Sequence, residues 1–147
     1  MRTTAYIAVG ANLDPERNIL AALERLDAAA PIAGVSTFYR TAALGRPEQP
    51  DYLNGVVAVR HEGGARALKY GILRPIEAAL GRVRTDDKYA ARAIDLDVIL
   101  YGDAVLDEPD LRLPDPDLRT RPFMAFPLLE LAPDLAMPDT GQRLDSE

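Results

Sequence analysis

The chain has 147 residues, enough for one domain with a real core, and its 48% apolar content is that of a globular protein. It has no cysteine and a single histidine, which excludes disulfide frameworks, thiolate metal centres, a cysteine nucleophile and a multi-histidine zinc site. A net charge of −6 repels nucleic acid and anionic membranes in bulk, so any phosphate ligand must meet a local cluster of cations.

In chain order, "TAYIAVG" reads as a buried strand. The N-terminal apolar run is too short for a secretory signal, and no stretch approaches the roughly 20 apolar residues of a spanning helix, so a cytoplasmic protein without membrane contact is expected. "NLDPERNILAALERLDAAA" predicts a helix: Asp14 offers an N-cap, Pro15 takes the first helical position, and Ile19, Leu23 and Leu26 form the apolar stripe. "IAGVSTFYRT" reads as a second strand, "AALGRPEQPD" as a loop, and "YLNGVVAVRHE" as a third strand in hairpin-like sequence with the second. His61 stands beside Glu62 at the end of that strand and is expected at the surface. "GGARALKYGILRPIEAALG" predicts a second helix that Pro75 kinks or restarts. A polar loop, "RVRTDDKYAAR", precedes the segment "ARAIDLDVILYGD".

That segment alternates Ile94, Leu96, Val98 and Leu100 with Asp95 and Asp97, the period of a strand with one face in a core. Alternate residues on one face stand roughly 6.5–7 Å apart, which suits two carboxylates that share divalent cations. Such alternation is also what the wet face of any half-buried sheet produces. Against that, aspartate is a poor strand former and like charges on one face repel.

Strand, helix, strand, strand, helix, strand is the order of an α+β fold with a ferredoxin-like βαββαβ core, in which right-handed crossovers put the helices on one face of a four-stranded antiparallel sheet. "GDAVLDEPDLRLP" predicts an additional hairpin and "FMAFPLLELAPDL" a short closing helix, so residues 1–147 are read as one domain. Arg82 and Arg84 enter the polar loop, Arg92 leaves it, and Arg119 and Arg121 follow in "DLRTRPF". Arginine forks match phosphate oxygens, although neighbours such as Asp86 and Asp87 could equally hold these residues in surface ion pairs.

"KYAARAIDLDVI" resembles the signature of the 6-hydroxymethyl-7,8-dihydropterin pyrophosphokinase family. "GAN" near the start, "STFYRTAALGRPEQPDYLNGVV", "IEAALGRVR" and "RPFMAFPLLELAPD" resemble further blocks of that family, in order, from Tyr6 to about Pro138. The resemblance implies transfer of pyrophosphate from ATP to the hydroxymethyl group of a reduced pterin, with release of AMP, in folate biosynthesis. It implies that Asp95 and Asp97 hold two Mg²⁺ ions and that Arg82 and Arg92 clamp the phosphates and act on the transition state. It places Glu77, Arg84, Tyr89 and Arg121 on the nucleotide side, with Arg84 and Tyr89 in a loop that closes over the site. Thr41, Leu44, Tyr52, Asn54 and Phe123 match the pterin side, where Tyr52 and Phe123 could sandwich a flat heteroaromatic ring and Asn54 could read its donor–acceptor edge. The implied partners are ATP and the pterin, with no nucleic acid or membrane, and the chain is expected to act as a monomer.

The sequence departs from the family pattern in places. Asp115 stands where the family has histidine, Arg74-Pro75 precede Glu77, and Ala90-Ala91 replace a Gly-Pro pair. These leave open a paralogue acting on a variant pterin outside the folate pathway, or a pterin- or nucleotide-binding protein without turnover.

Overall fold

The structure is a computed structural model that describes residues 2–41, 51–81, 93–120 and 122–144, with the side chains of Pro122 and Phe123 outside the description. The sheet is built from β1 (Thr3–Ala11), β2 (Ile32–Val35), β3 (Tyr39–Thr41), β4 (Tyr52–His61) and β5 (Asp95–Tyr101). Its order is β2-β4-β1-β5, with β3 also pairing β4 and every pairing antiparallel. This is the ferredoxin-like order, because β2 and β3 together occupy the place of the single second strand expected from "IAGVSTFYRT".

The break between them is local. Ser36 N–H donates to the Val56 carbonyl at 2.9 Å, and Ser36 Oγ accepts from Val56 N–H at 2.8 Å. The hydroxyl thus satisfies a backbone donor that a regular ladder would have paired with a carbonyl. Phe38 lies flat against Gly55, where a β-carbon would stand 2.6 Å from the ring, so the absent side chain of Gly55 is the seat of Phe38.

Alternation in the strands builds two cores. Ile7, Val9, Val57, Val59, Leu96 and Val98 face α1 (Pro15–Ala29), α2 (Ala65–Leu68) and α3 (Arg74–Ala79), which supply Ile19, Leu26, Leu68 and Ile76. The opposite face carries Tyr6, Ala8 and Val56, covered by Met124 and Leu128 of α4 (Pro122–Leu131) and by Met137 and Leu144. Between Tyr6 and Ile7 the β1–β5 register shifts, and both Ile99 and Leu100 join the second core. The predicted extra hairpin forms as β6 (Leu106–Glu108) and β7 (Leu111–Leu113). Arg66 of α2 ties it down through Asp110 and Glu108, both at 2.6 Å, and the bonds that Asp110 accepts from Arg66 and from the Tyr70 hydroxyl hold its carboxyl far below the usual range.

Pro75 does restart the second helix. A π-helical turn at Lys69–Leu73 separates α2 from α3, and Arg74 N–H reaches back to Lys69. The wider turn accommodates a proline that lacks an N–H and crowds the preceding turn. Asp14 differs from expectation. It occupies the N-cap position with a left-handed backbone (φ 41°), but its carboxylate makes no capping bond. It points instead to Arg17 at 3.5 Å.

His61 also corrects the sequence reading: it is 8% exposed, not a surface residue. Tyr101, arriving from β5, covers it, and His61 Nδ1 lies 2.8 Å from the Tyr101 hydroxyl. Gly64 N–H donates to the same hydroxyl at 3.0 Å, which leaves the Tyr101 O–H able to donate to Nδ1 when the imidazole carries its proton on Nε2. Burial lowers the His61 pKa below 6.5, partly opposed by Glu62. The folded state therefore releases the proton more readily than the unfolded chain. Stability from this group is full above pH 6.5 and is lost as pH falls below it, levelling off once the folded-state histidine is also charged. Between pH 8 and pH 5 the melting temperature of the parent should fall relative to that of His61→Gln, and a difference between the two that stays constant with pH would contradict the assignment.

Candidate active site

The register assembles the site. Ala8 faces Asp97 and Gly10 faces Asp95 across β1–β5, while Gly10 faces Asn54 and Ala8 faces Val56 across β1–β4. Directly paired residues in an antiparallel sheet share a face. Asp95 and Asp97 therefore lie on the same side as Asn54 and Tyr52, with only Gly10 and Ala8 between the two groups. The helices α1 to α3 occupy the other face.

Thr41 is drawn in by β3, whose pairing sets it opposite Tyr52. Asn54 Nδ2 donates to Thr41 Oγ1 at 2.6 Å. β3 is anchored by Glu130 of α4, which accepts from the Thr37 N–H at 3.1 Å, the Thr37 hydroxyl at 2.9 Å and the Tyr39 hydroxyl. The helix thus holds the strand that carries Thr41, a link between residues some 90 positions apart that no local pattern signals.

The two aspartates repel each other. Burial, and then the charge of Asp95, push the Asp97 carboxyl up to about 7; Arg74 opposes them, while Glu77 and Asp115 add to them. A strongly raised carboxylate beside a second one marks a site built for cationic charge. Glu77 lies behind β5 rather than on the open face, 2% exposed. Its Oε2 accepts from Leu96 N–H at 2.9 Å and its Oε1 from Arg74 at 2.9 Å. Leu96 separates the two aspartates on an edge strand, so Glu77 satisfies a backbone donor that the sheet leaves open. Among the described residues no group of three acidic or histidine side chains could hold a metal ion by itself.

Asp115 caps the 3₁₀ turn Pro116–Arg119, accepting from Asp117 N–H at 2.8 Å, while its own N–H donates to Ile99 at 3.0 Å. Arg119 makes a two-pronged pair with Asp139 at 2.8 and 3.0 Å. Of the other expected site residues, Leu44, Arg82, Arg84, Tyr89, Arg92 and Arg121 lie outside the described residues, as does the side chain of Phe123.

A family model, 7,8-dihydro-6-hydroxymethylpterin-pyrophosphokinase, matches residues 6–133. The chain belongs to this pyrophosphokinase family. It is 41% identical over 138 residues to the 2-amino-4-hydroxy-6-hydroxymethyldihydropteridine pyrophosphokinase of Pseudomonas aeruginosa, covering 91% of this chain and 83% of the relative. The enzyme of the same name from Synechocystis is 38% identical over 146 residues, 95% of this chain and 72% of the relative. The folic acid synthesis protein fol1 of Schizosaccharomyces pombe is 37% identical over 146 residues, which are 95% of this chain but 19% of that protein. The pyrophosphokinase family thus accounts for the order of strands and for the whole span in which the aspartate strand sits.

Proposed function

We propose that the chain transfers the pyrophosphoryl group of ATP to the hydroxymethyl group of 6-hydroxymethyl-7,8-dihydropterin, releasing AMP, in folate biosynthesis. The observation that carries this reading is the pairing across Gly10, which sets an amide suited to a heterocycle beside two carboxylates suited to metal-bound phosphates. The pterin lies against Tyr52, Asn54 and Thr41, with Leu44 and Phe123 completing its surroundings. The triphosphate lies over Asp95 and Asp97, with Arg82, Arg84, Tyr89, Arg92 and Arg121 as its further contacts. The acceptor hydroxyl and the phosphate under attack then meet between these two groups of residues.

The residues fit Mg²⁺: two half-buried carboxylates on one face, one with its charge strongly disfavoured, are hard oxygen ligands. Asp95 and Asp97 would hold two such ions, which on binding supply positive charge to the phosphates. Glu77 acts from beneath by fixing the Leu96 peptide between the two ligands. Arg92 and Arg82 bear on the charge that develops at the transferred group. No helix among the described residues is long and apolar enough to cross a membrane, and we place the protein in the cytoplasm as a monomer.

The test is AMP release from ATP and Mg²⁺ with and without the pterin. Pterin-dependent AMP formation is expected. Tight pterin binding without AMP would favour the binding-protein alternative, and AMP formation only with a differently substituted pterin would favour the paralogue.

Asp115 bears on nucleotide affinity. An ionised carboxylate cannot donate to a phosphate oxygen, and its charge already adds to the negative potential at Asp97. Asp115→His should tighten binding of a non-hydrolysable ATP analogue with Mg²⁺ by roughly 10- to 100-fold, while loss of the cap costs about 1 kcal/mol of stability. Titration of both proteins checks this, and equal or weaker binding by the variant would show Asp115 to be part of an adapted nucleotide site.

A further inference from the structure

We infer that Gly10 is a positioning residue for the pterin subsite, kept free of a side chain so that the Asn54 amide can lie across β1 toward the aspartates. This rests on the placement of the pterin against Asn54. A β-carbon at residue 10 would stand 2.5 Å from Asn54 Oδ1, with Asn54 Cγ at 3.6 Å and the Leu53 carbonyl at 3.7 Å next nearest. The collision is therefore with the amide oxygen and with nothing closer.

The backbone does not ask for glycine at this position. Gly10 is regular strand, paired with Asn54 on one side and Asp95 on the other, and it is not among the glycines with positive φ. Glycine inside a strand costs roughly 0.5–1 kcal/mol relative to alanine, and two residues earlier on the same face the chain does use alanine, Ala8. What the missing side chain provides is space, and the amide oxygen of Asn54 fills it.

The consequence is chemical. Thr41 Oγ1 takes one hydrogen of the Asn54 amide at 2.6 Å, which fixes the plane of the group. The second N–H and the oxygen remain a donor and an acceptor side by side, the pattern that an aminopyrimidinone edge can match. A methyl group at residue 10 would drive the oxygen away, break the bond to Thr41 and turn the amide out of register with the ring. Gly10 thereby acts through Asn54 on pterin recognition, while its pairing with Asp95 runs through the backbone, which alanine would keep.

The experiment is a double-mutant cycle of Gly10→Ala and Asn54→Ala, read as KM for the pterin, KM for ATP and melting temperature. Gly10→Ala should raise the pterin KM roughly 10- to 100-fold, the worth of one or two hydrogen bonds, and leave the ATP KM within about twofold. In the Asn54→Ala background, where no amide can be displaced, the same change should alter the pterin KM less than about twofold. An unchanged pterin KM in the single variant, or an equal rise in both backgrounds, would overturn the inference. A parent protein that forms no AMP from the pterin would sink the proposed reaction. The geometry is then read without substrate from the NMR signals of the Asn54 side-chain amide: Gly10→Ala should shift the Thr41-bonded proton, and unchanged signals would overturn the inference.

Discussion

Asp97→Ala is expected to reduce pterin-dependent AMP release by roughly a thousandfold or more, since metal charge on a phosphoryl group is worth several kcal/mol and each 1.36 kcal/mol is about tenfold in rate. Asp95→Ala should behave alike, because neither aspartate can be replaced by its neighbour, one pleat away on the same face. The fold should survive both changes. Burial and the charge of Asp95 disfavour the charged form of Asp97, so its removal relieves a repulsion and opens no apolar cavity. In the absence of divalent cations the melting temperature at neutral pH should therefore be equal to or above that of the parent. Turnover near the parental rate at saturating Mg²⁺ in either variant would remove the metal assignment.

Much of this site was legible because strand periodicity and register are simple. The alternation around Asp95 and Asp97 predicts their shared face, and the order of elements predicts that β1 lies beside them. That Asn54 stands across Gly10 from Asp95 was not legible, since it depends on the register of two pairings at once. The sequence pattern predicts a continuous second strand, because nothing local marks Ser36 as a residue whose hydroxyl replaces a ladder bond. His61 was misplaced for a related reason. Its partner Tyr101 is 40 residues away, and only tertiary packing brings the hydroxyl to the ring. Glu77 followed the family pattern to the nucleotide side, yet its burial and its bond to Leu96 depend on α3 reaching the open edge of β5. Pro75 was the opposite case, a residue whose local chemistry predicts the broken helix by itself.

Glu77→Ala is the change expected to cost the most stability. The side chain is almost wholly buried, and it answers two groups at once, the Leu96 N–H and the Arg74 guanidinium. Alanine would leave a backbone donor on the sheet edge without its acceptor and Arg74 without its carboxylate. Removing one member of a buried pair costs about 3–5 kcal/mol, and the partial exposure of Arg74 reduces this to roughly 2–4 kcal/mol. For a chain of this size that is a fall of roughly 5–15 °C in melting temperature. Glu77→Gln separates the two contributions. Its amide oxygen can still accept from Leu96, so the strand should stay in place, while its NH₂ group cannot pair with Arg74. The glutamine variant should therefore lose less than half as much stability as the alanine variant and keep most of its turnover. In an Arg74→Ala background the cost of Glu77→Ala should shrink, because no half-buried cation is then stranded. Thermal unfolding of the parent and the four variants measures these differences, and AMP release measures whether the aspartates stay aligned. If Glu77→Gln unfolded like the parent but lost nucleotide affinity as completely as Glu77→Ala, the carboxylate would be a direct nucleotide contact rather than the clamp beneath the Asp95–Asp97 strand.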